Sequence, residues 1–170
     1  MMTTTGSPRT KKTRKPRKTA ATKKLPSNPF MNEILEFVSE QKTDAKKVAL
    51  LKEYECDALK SLFIWNFDDS VISLLPPGTV PYKPNENPLG TDHSSLRREQ
   101  RNLYMFVKGG NDALSTIRRE TIFIQMLEGL HPKEADIVIA VKDRGLEDMY
   151  DVSFEVVEEA YPDIEWGGRS

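Results

Sequence analysis

Proline falls at positions 76, 77, 81, 84 and 88, with Gly78 and Gly90 in the same stretch. Each proline fixes φ and lacks a backbone donor, so residues 76–92 form neither a helix interior nor a central strand. Any fold must therefore be assembled from the segments on either side. The stretch is long for a structureless loop inside a compact domain, where about 12 to 15 residues is already unusual. It is expected either to lie extended on the surface, packing through Val80, Tyr82 and Leu89, or to dock a partner.

Both flanks carry helical periodicity. Asn28-Pro29 reads as an N-cap followed by an N1 proline, with Phe30, Ile34, Phe37 and Val38 on one face of a helix reaching about Gln41. Thr43-Asp44 caps a second helix bearing Val48, Leu51 and Tyr54, and Asp57 a third with Leu59, Leu62, Phe63 and Ile64. Asp68-Asp69 opens a short turn, and Trp65 and Phe67 read as core.

Beyond the connector, Leu96, Leu103, Tyr104 and Val107 make one amphipathic helix closed by Gly109-Gly110. Asn111 caps a longer one, with Leu114, Ile117, Ile124 and Leu127 on its apolar face, ending near Gly129. The β-branched run at 137–141 suits a strand by composition. Pro132 at N1, Glu134 in the first turn and the Arg144-Gly145 ending favour a buried helix. Ser153 caps Phe154 to Tyr161, and Pro162 stops it. The expected fold is all-α, a helical domain of about six to seven helices. Its parts are a disordered basic arm at 1–27, a helical domain at 28–165 and a flexible tail at 166–170. The domain divides into helices at 28–75, the connector at 76–92 and helices at 93–161.

Charge separates the arm from the body. The net charge of the 170 residues is −1, yet nine cations and no carboxylate precede residue 28: Arg9, Lys11, Lys12, Arg14, Lys15, Arg17, Lys18, Lys23 and Lys24. The remaining sixteen lysines and arginines face all 26 acids, so a +9 arm is joined to a −10 body. With Leu25 its only large apolar residue after the initial methionines, the arm cannot offset the entropy of ordering and is expected to be disordered when free. A flexible cationic arm suits phosphate neutralisation, and a solubility tail is the plainer alternative. Leu96-Arg97-Arg98-Glu99 and Ile117-Arg118-Arg119-Glu120 recur 21 residues apart. Arg97, Arg98, Arg101, Arg118 and Arg119, with Lys108, can form a phosphate-binding patch with Tyr104 available for stacking. The alternative is that each arginine pairs with a carboxylate. Between Lys133 and Glu165 eleven acids face three bases, a surface that would repel nucleic acid and suit a basic protein.

Enzymatic signatures are absent from the sequence. The glycines lack the spacing of a phosphate-cradling loop, so no nucleotide cofactor is expected. His93 and His131 lie 38 residues apart without a second ligand at helical spacing, so no metal is expected. Cys56, the single cysteine, reads as a small helix-end residue and fits a reducing compartment. No apolar run approaches the roughly 20 residues of a membrane span, and no membrane partner is expected.

The stretches Leu74-Leu75-Pro76-Pro77-Gly78-Thr79-Val80-Pro81-Tyr82, Arg98-Glu99-Gln100-Arg101-Asn102-Leu103-Tyr104 and Arg118-Arg119-Glu120-Thr121-Ile122-Phe123-Ile124 stand out. With Leu130-His131-Pro132-Lys133-Glu134-Ala135 and the closing Val156-Val157-Glu158-Glu159-Ala160-Tyr161-Pro162, they resemble an uncharacterised family of small proteins from T-even-like tailed phages of marine, cyanobacterial type. The resemblance covers roughly residues 30–164 and leaves the arm outside. It implies a protein of the host bacterial cytoplasm or the virion and carries over no catalytic residues. The expected function is non-enzymatic: sequence-tolerant contact with the backbone of DNA or RNA through the arm. The alternative is an assembly or interaction module that binds a phage or host protein through the acidic C-terminal third or the connector.

Overall fold

The computed structural model describes residues 25–88 and 93–169. Its helices are α1 (Met31–Ser39), α2 (Asp44–Glu53), α3 (Asp57–Phe67), α4 (Leu96–Glu99), α5 (Thr116–Gly129), α6 (Pro132–Lys142), α7 (Leu146–Met149) and α8 (Phe154–Ala160). A 3-10 helix, Gln100–Phe106, continues α4. Among the described residues the only β pairings are two isolated bridges, Ser73 with Val107 and Ser94 with Leu130. The chain is mainly helical, as its periodicity predicts.

The β-branched run lies in α6, which packs against α3, α1 and α5, while α8 lies along α2. Ile137, Val138 and Val141 are fully buried. Proline at N1 and the His131 ring, whose Nδ1 accepts from Lys133 N at 3.2 Å, start this helix where composition alone would allow a strand. Trp65 stacks on Phe106 at 6.4 Å, Phe106 meets Phe123 edge-on at 5.1 Å, and Phe67 packs on Phe154 at 5.8 Å. Burying each large apolar side chain of this kind contributes about 1.5–3 kcal/mol.

Local capping signals succeed where nothing distant competes. The Thr43 hydroxyl accepts from Lys46 N at 3.3 Å, and the Ser153 hydroxyl accepts from Val156 N at 3.4 Å. Elsewhere long-range contacts move the boundaries. The first helix starts at Met31 rather than Pro29, because Glu134 of α6 takes the Met31 N–H at 2.9 Å while Arg97 Nε holds the Pro29 carbonyl at 3.0 Å. The other oxygen of Glu134 accepts from Leu96 N at 3.2 Å. One fully buried carboxylate therefore caps both α1 and α4, and neither helix has a side-chain cap of its own. Cys56, not Asp57, holds the N-cap position of α3, and its thiol lies 3.9 Å from Met31 Sδ.

The expected single helix over 96–107 divides. After one α-turn the chain tightens to 3-10 geometry, because its end pairs with the segment before the connector: Leu74 N donates to Phe106 O and Lys108 N to Ile72 O, both at 2.8 Å. Gly109 then turns with φ +91°. The next helix starts after Ser115, whose hydroxyl accepts from Arg118 N at 3.2 Å, and not at Asn111. Its buried face is Arg119, Phe123, Met126 and Leu127, whereas Ile117, expected inside, is 79% exposed. One short helix, α7, was not anticipated.

The connector is irregular over its described part and packs through Val80 and Tyr82; Leu89 lies outside the described residues. The buried Lys142 ammonium donates to Pro76 O at 2.9 Å, Gly78 O at 3.0 Å and Asp143 Oδ1 at 2.8 Å, and Asp143 Oδ2 accepts from Gly78 N. Residues 166–169, expected to trail away, fold back: Trp166 meets Phe154 at 5.0 Å, and Gly167 N and Arg169 Nη1 donate to buried Asp68.

Candidate nucleic-acid interface

Arg9, Lys11, Lys12, Arg14, Lys15, Arg17, Lys18, Lys23 and Lys24 lie outside the described residues. The body's arginines sort into two groups. Arg98 and Arg101 are exposed side by side where α4 passes into the 3-10 helix, with Arg101 Nε donating to Arg98 O at 3.1 Å. Arg118 is exposed in the first turn of α5. None of these, nor Arg97 or Lys108, makes a carboxylate ion pair among the described residues. The described ion pairs belong to Lys47, Lys60, Lys133, Lys142, Arg144 and Arg169. The alternative in which every arginine of the patch is neutralised by a neighbouring acid therefore does not describe this surface.

Two arginines are turned to structural work. Arg119 is 5% exposed, and its guanidinium donates to Met105 O at 2.9 Å and to Asn111 O and Leu114 O at 3.0 Å each. It closes the turn between the 3-10 helix and α5 and presents no free fork to a phosphate. Arg97 is half-buried against Pro29 O. The two Arg-Arg dipeptides thus each divide into an inward arginine and an outward one, with opposite order: Arg97 in and Arg98 out, Arg118 out and Arg119 in. Position on the buried face decides this, since Arg119 shares a helical stripe with Phe123, Met126 and Leu127.

Tyr104 is 51% exposed on the 3-10 helix. A Cβ added at Gly110 would sit 1.9 Å from the Tyr104 carbonyl oxygen and 3.2 Å from Tyr104 Cδ2, so only glycine lets the turn close against this residue. The half-exposed ring is available for stacking.

One juxtaposition has no sequence signal. His93 and His131 meet edge to face, with ring centroids 5.1 Å apart. His93 Nε2 lies 3.0 Å from the Asn85 carbonyl, which only accepts, so this nitrogen donates, and Nδ1 is buried without a partner among the described residues. Burial, with His93 and Lys133 acting in the same sense, holds His131 below the ordinary histidine range, against the pull of Asp136. Among the described residues no three histidine, cysteine or carboxylate groups are placed to hold a metal. No described helix is long and apolar enough to cross a membrane.

Comparison with curated proteins and with solved structures finds no match. A family model does match, over residues 34–148, which run from within α1 through most of α7 and include every exposed arginine of the body patch but none of the basic arm. On that match, the chain belongs to the family of unknown function DUF6433.

Proposed function

We propose that this chain is a non-enzymatic accessory protein of a tailed phage, acting in the host cytoplasm or the virion, that binds nucleic acid through phosphate contacts. The phage assignment rests on the resemblance over residues 30–164. The observation that carries the binding reading is the charge split: nine cations and no acid before residue 28, on a body that carries −10. Exposed Arg98, Arg101 and Arg118, free of carboxylate partners among the described residues, offer the same chemistry on the body. Lysines and arginines on an arm contact the backbone and leave base edges unread, so binding is sequence-tolerant. The test is a salt titration of labelled DNA and RNA against the full chain and against a chain lacking residues 1–24. Truncation should abolish binding at moderate salt, and equal binding by the two would refute the reading.

A second reading is favoured by the other end of the molecule. Glu147, Asp148, Glu155, Glu158 and Glu159 are exposed and lie outside the ion pairs among the described residues. This acidic surface suits a basic phage or host protein. A specific protein retained from infected cells by the chain without residues 1–24 would favour it.

A further inference from the structure

A groove of about 240 Å³ runs beside Tyr104, between α3 and the 3-10 helix. Ile64, Trp65, Leu103 and Val107 give it an apolar wall, Lys108 stands at one lip, and Arg169, anchored on Asp68, closes another side. None of the residues lining it is acidic, although the body as a whole carries −10. Lys108 has no carboxylate partner among the described residues, and Arg101 is exposed one turn before Tyr104. The groove thus combines an apolar slot, an exposed aromatic ring and, in Lys108, a cation without a carboxylate partner among the described residues. Those are the elements with which single-stranded nucleic acids are held: a π-face for a base and positive charge for the adjoining phosphate. A paired duplex cannot fill such a slot, because its bases are stacked inside the helix.

Resting on the nucleic-acid reading above, we propose that this groove accepts one unstacked base of a single-stranded nucleic acid, stacked on Tyr104 with its phosphate beside Lys108. The arm would bind single and double strands alike, and the groove would add preference for single strands. The space is below the roughly 300–1,000 Å³ of a drug-sized ligand pocket, which suits one base rather than a larger cofactor.

The experiment measures affinities of the full chain, of Tyr104→Ala, of Tyr104→Phe and of an arm variant with its nine cations changed to glutamine. The probes are dT12, a 12-base-pair duplex, and an abasic 12-mer with the same phosphates. Tyr104→Ala should weaken dT12 binding at least about fivefold, the low end of what one stacked base contributes, and leave the duplex unchanged. Tyr104→Phe keeps the ring and should bind as the parent does. The abasic strand should bind the parent and Tyr104→Ala equally. Equal dT12 affinity in the parent and Tyr104→Ala, or an equal loss on dT12 and duplex, would overturn the proposal. The arm variant should weaken every probe. If it weakens none while Tyr104→Ala still discriminates, the arm reading fails and the groove stands; if no probe binds the parent at low salt, both fail.

Discussion

Replacing Glu134 by alanine should be among the most damaging single changes in this protein. Its two oxygens accept from Met31 N at 2.9 Å and Leu96 N at 3.2 Å, inside the core, and those two donors open helices without side-chain caps. Leaving a buried donor unsatisfied costs about 1–3 kcal/mol, so two orphaned N–H groups cost about 2–6 kcal/mol. The total stability of a domain this size is about 5–15 kcal/mol, so the loss is a large fraction of it. Glu134→Gln keeps one acceptor oxygen and sets its amide N–H groups against the second donor, so it should lose about half as much. Urea unfolding followed by circular dichroism reads this as a lowered midpoint at unchanged slope. Burial pushes the Glu134 carboxyl above its usual range, against the pull of the two N–H donors and Arg97. Folding therefore favours the protonated carboxyl: its contribution is full below about pH 4.5 and is lost as pH rises through the raised value and the group ionises; Glu134→Gln removes the dependence. An alanine variant within about 0.5 kcal/mol of the parent, the range of ordinary surface changes, would refute the capping role.

The His131 ring caps α6 only while Nδ1 is unprotonated, and its lowered pKa makes the contribution full above pH 6.5 and lost as pH falls through the folded value. His131→Asn, which keeps a capping oxygen, should flatten that part of the stability profile measured by thermal unfolding. Arg119→Ala should cost about 2–4 kcal/mol by freeing three carbonyls, and Arg119→Lys should restore little of it because an ammonium lacks the fork. Arg118→Ala should leave stability within about 0.5 kcal/mol and weaken nucleic-acid binding; equal destabilisation by the two changes would contradict the inward and outward assignment. Gly110→Ala should lower the urea midpoint far more than Gly109→Ala, since a Cβ at 110 meets the Tyr104 carbonyl at 1.9 Å while one at 109 meets only the strain of φ +91°.

Features set by neighbours in the chain were legible in the sequence. Thr43, Ser153 and the His131-Pro132 pair mark three helix starts, and the connector's prolines mark where regular structure stops. What was misread depends on partners remote in sequence. Asn28-Pro29 has the local form of a helix start, but Glu134, 103 positions from Met31, moves it. The 96–107 segment has helical periodicity, yet backbone bonds to the 72–74 segment tighten it into a 3-10 turn. Arg118 and Arg119 are chemically identical neighbours. Counting along α5 from Phe123, Met126 and Leu127 would have assigned Arg119 to the inside, and placing Ile117 in the core concealed this. The meeting of His93 with His131 carries no periodic signal at all.

The central claim is that the acid-free arm binds phosphates, and the salt dependence of binding tests it most directly. For duplex DNA, each phosphate neutralised contributes about −0.9 to the slope of log affinity against log salt, so nine engaged cations set a limit of about −8. The full chain should show a steep negative slope within that limit, which changing the nine arm cations to glutamine reduces to the shallow slope of the few body arginines. The same slope and affinity in both proteins would contradict the account.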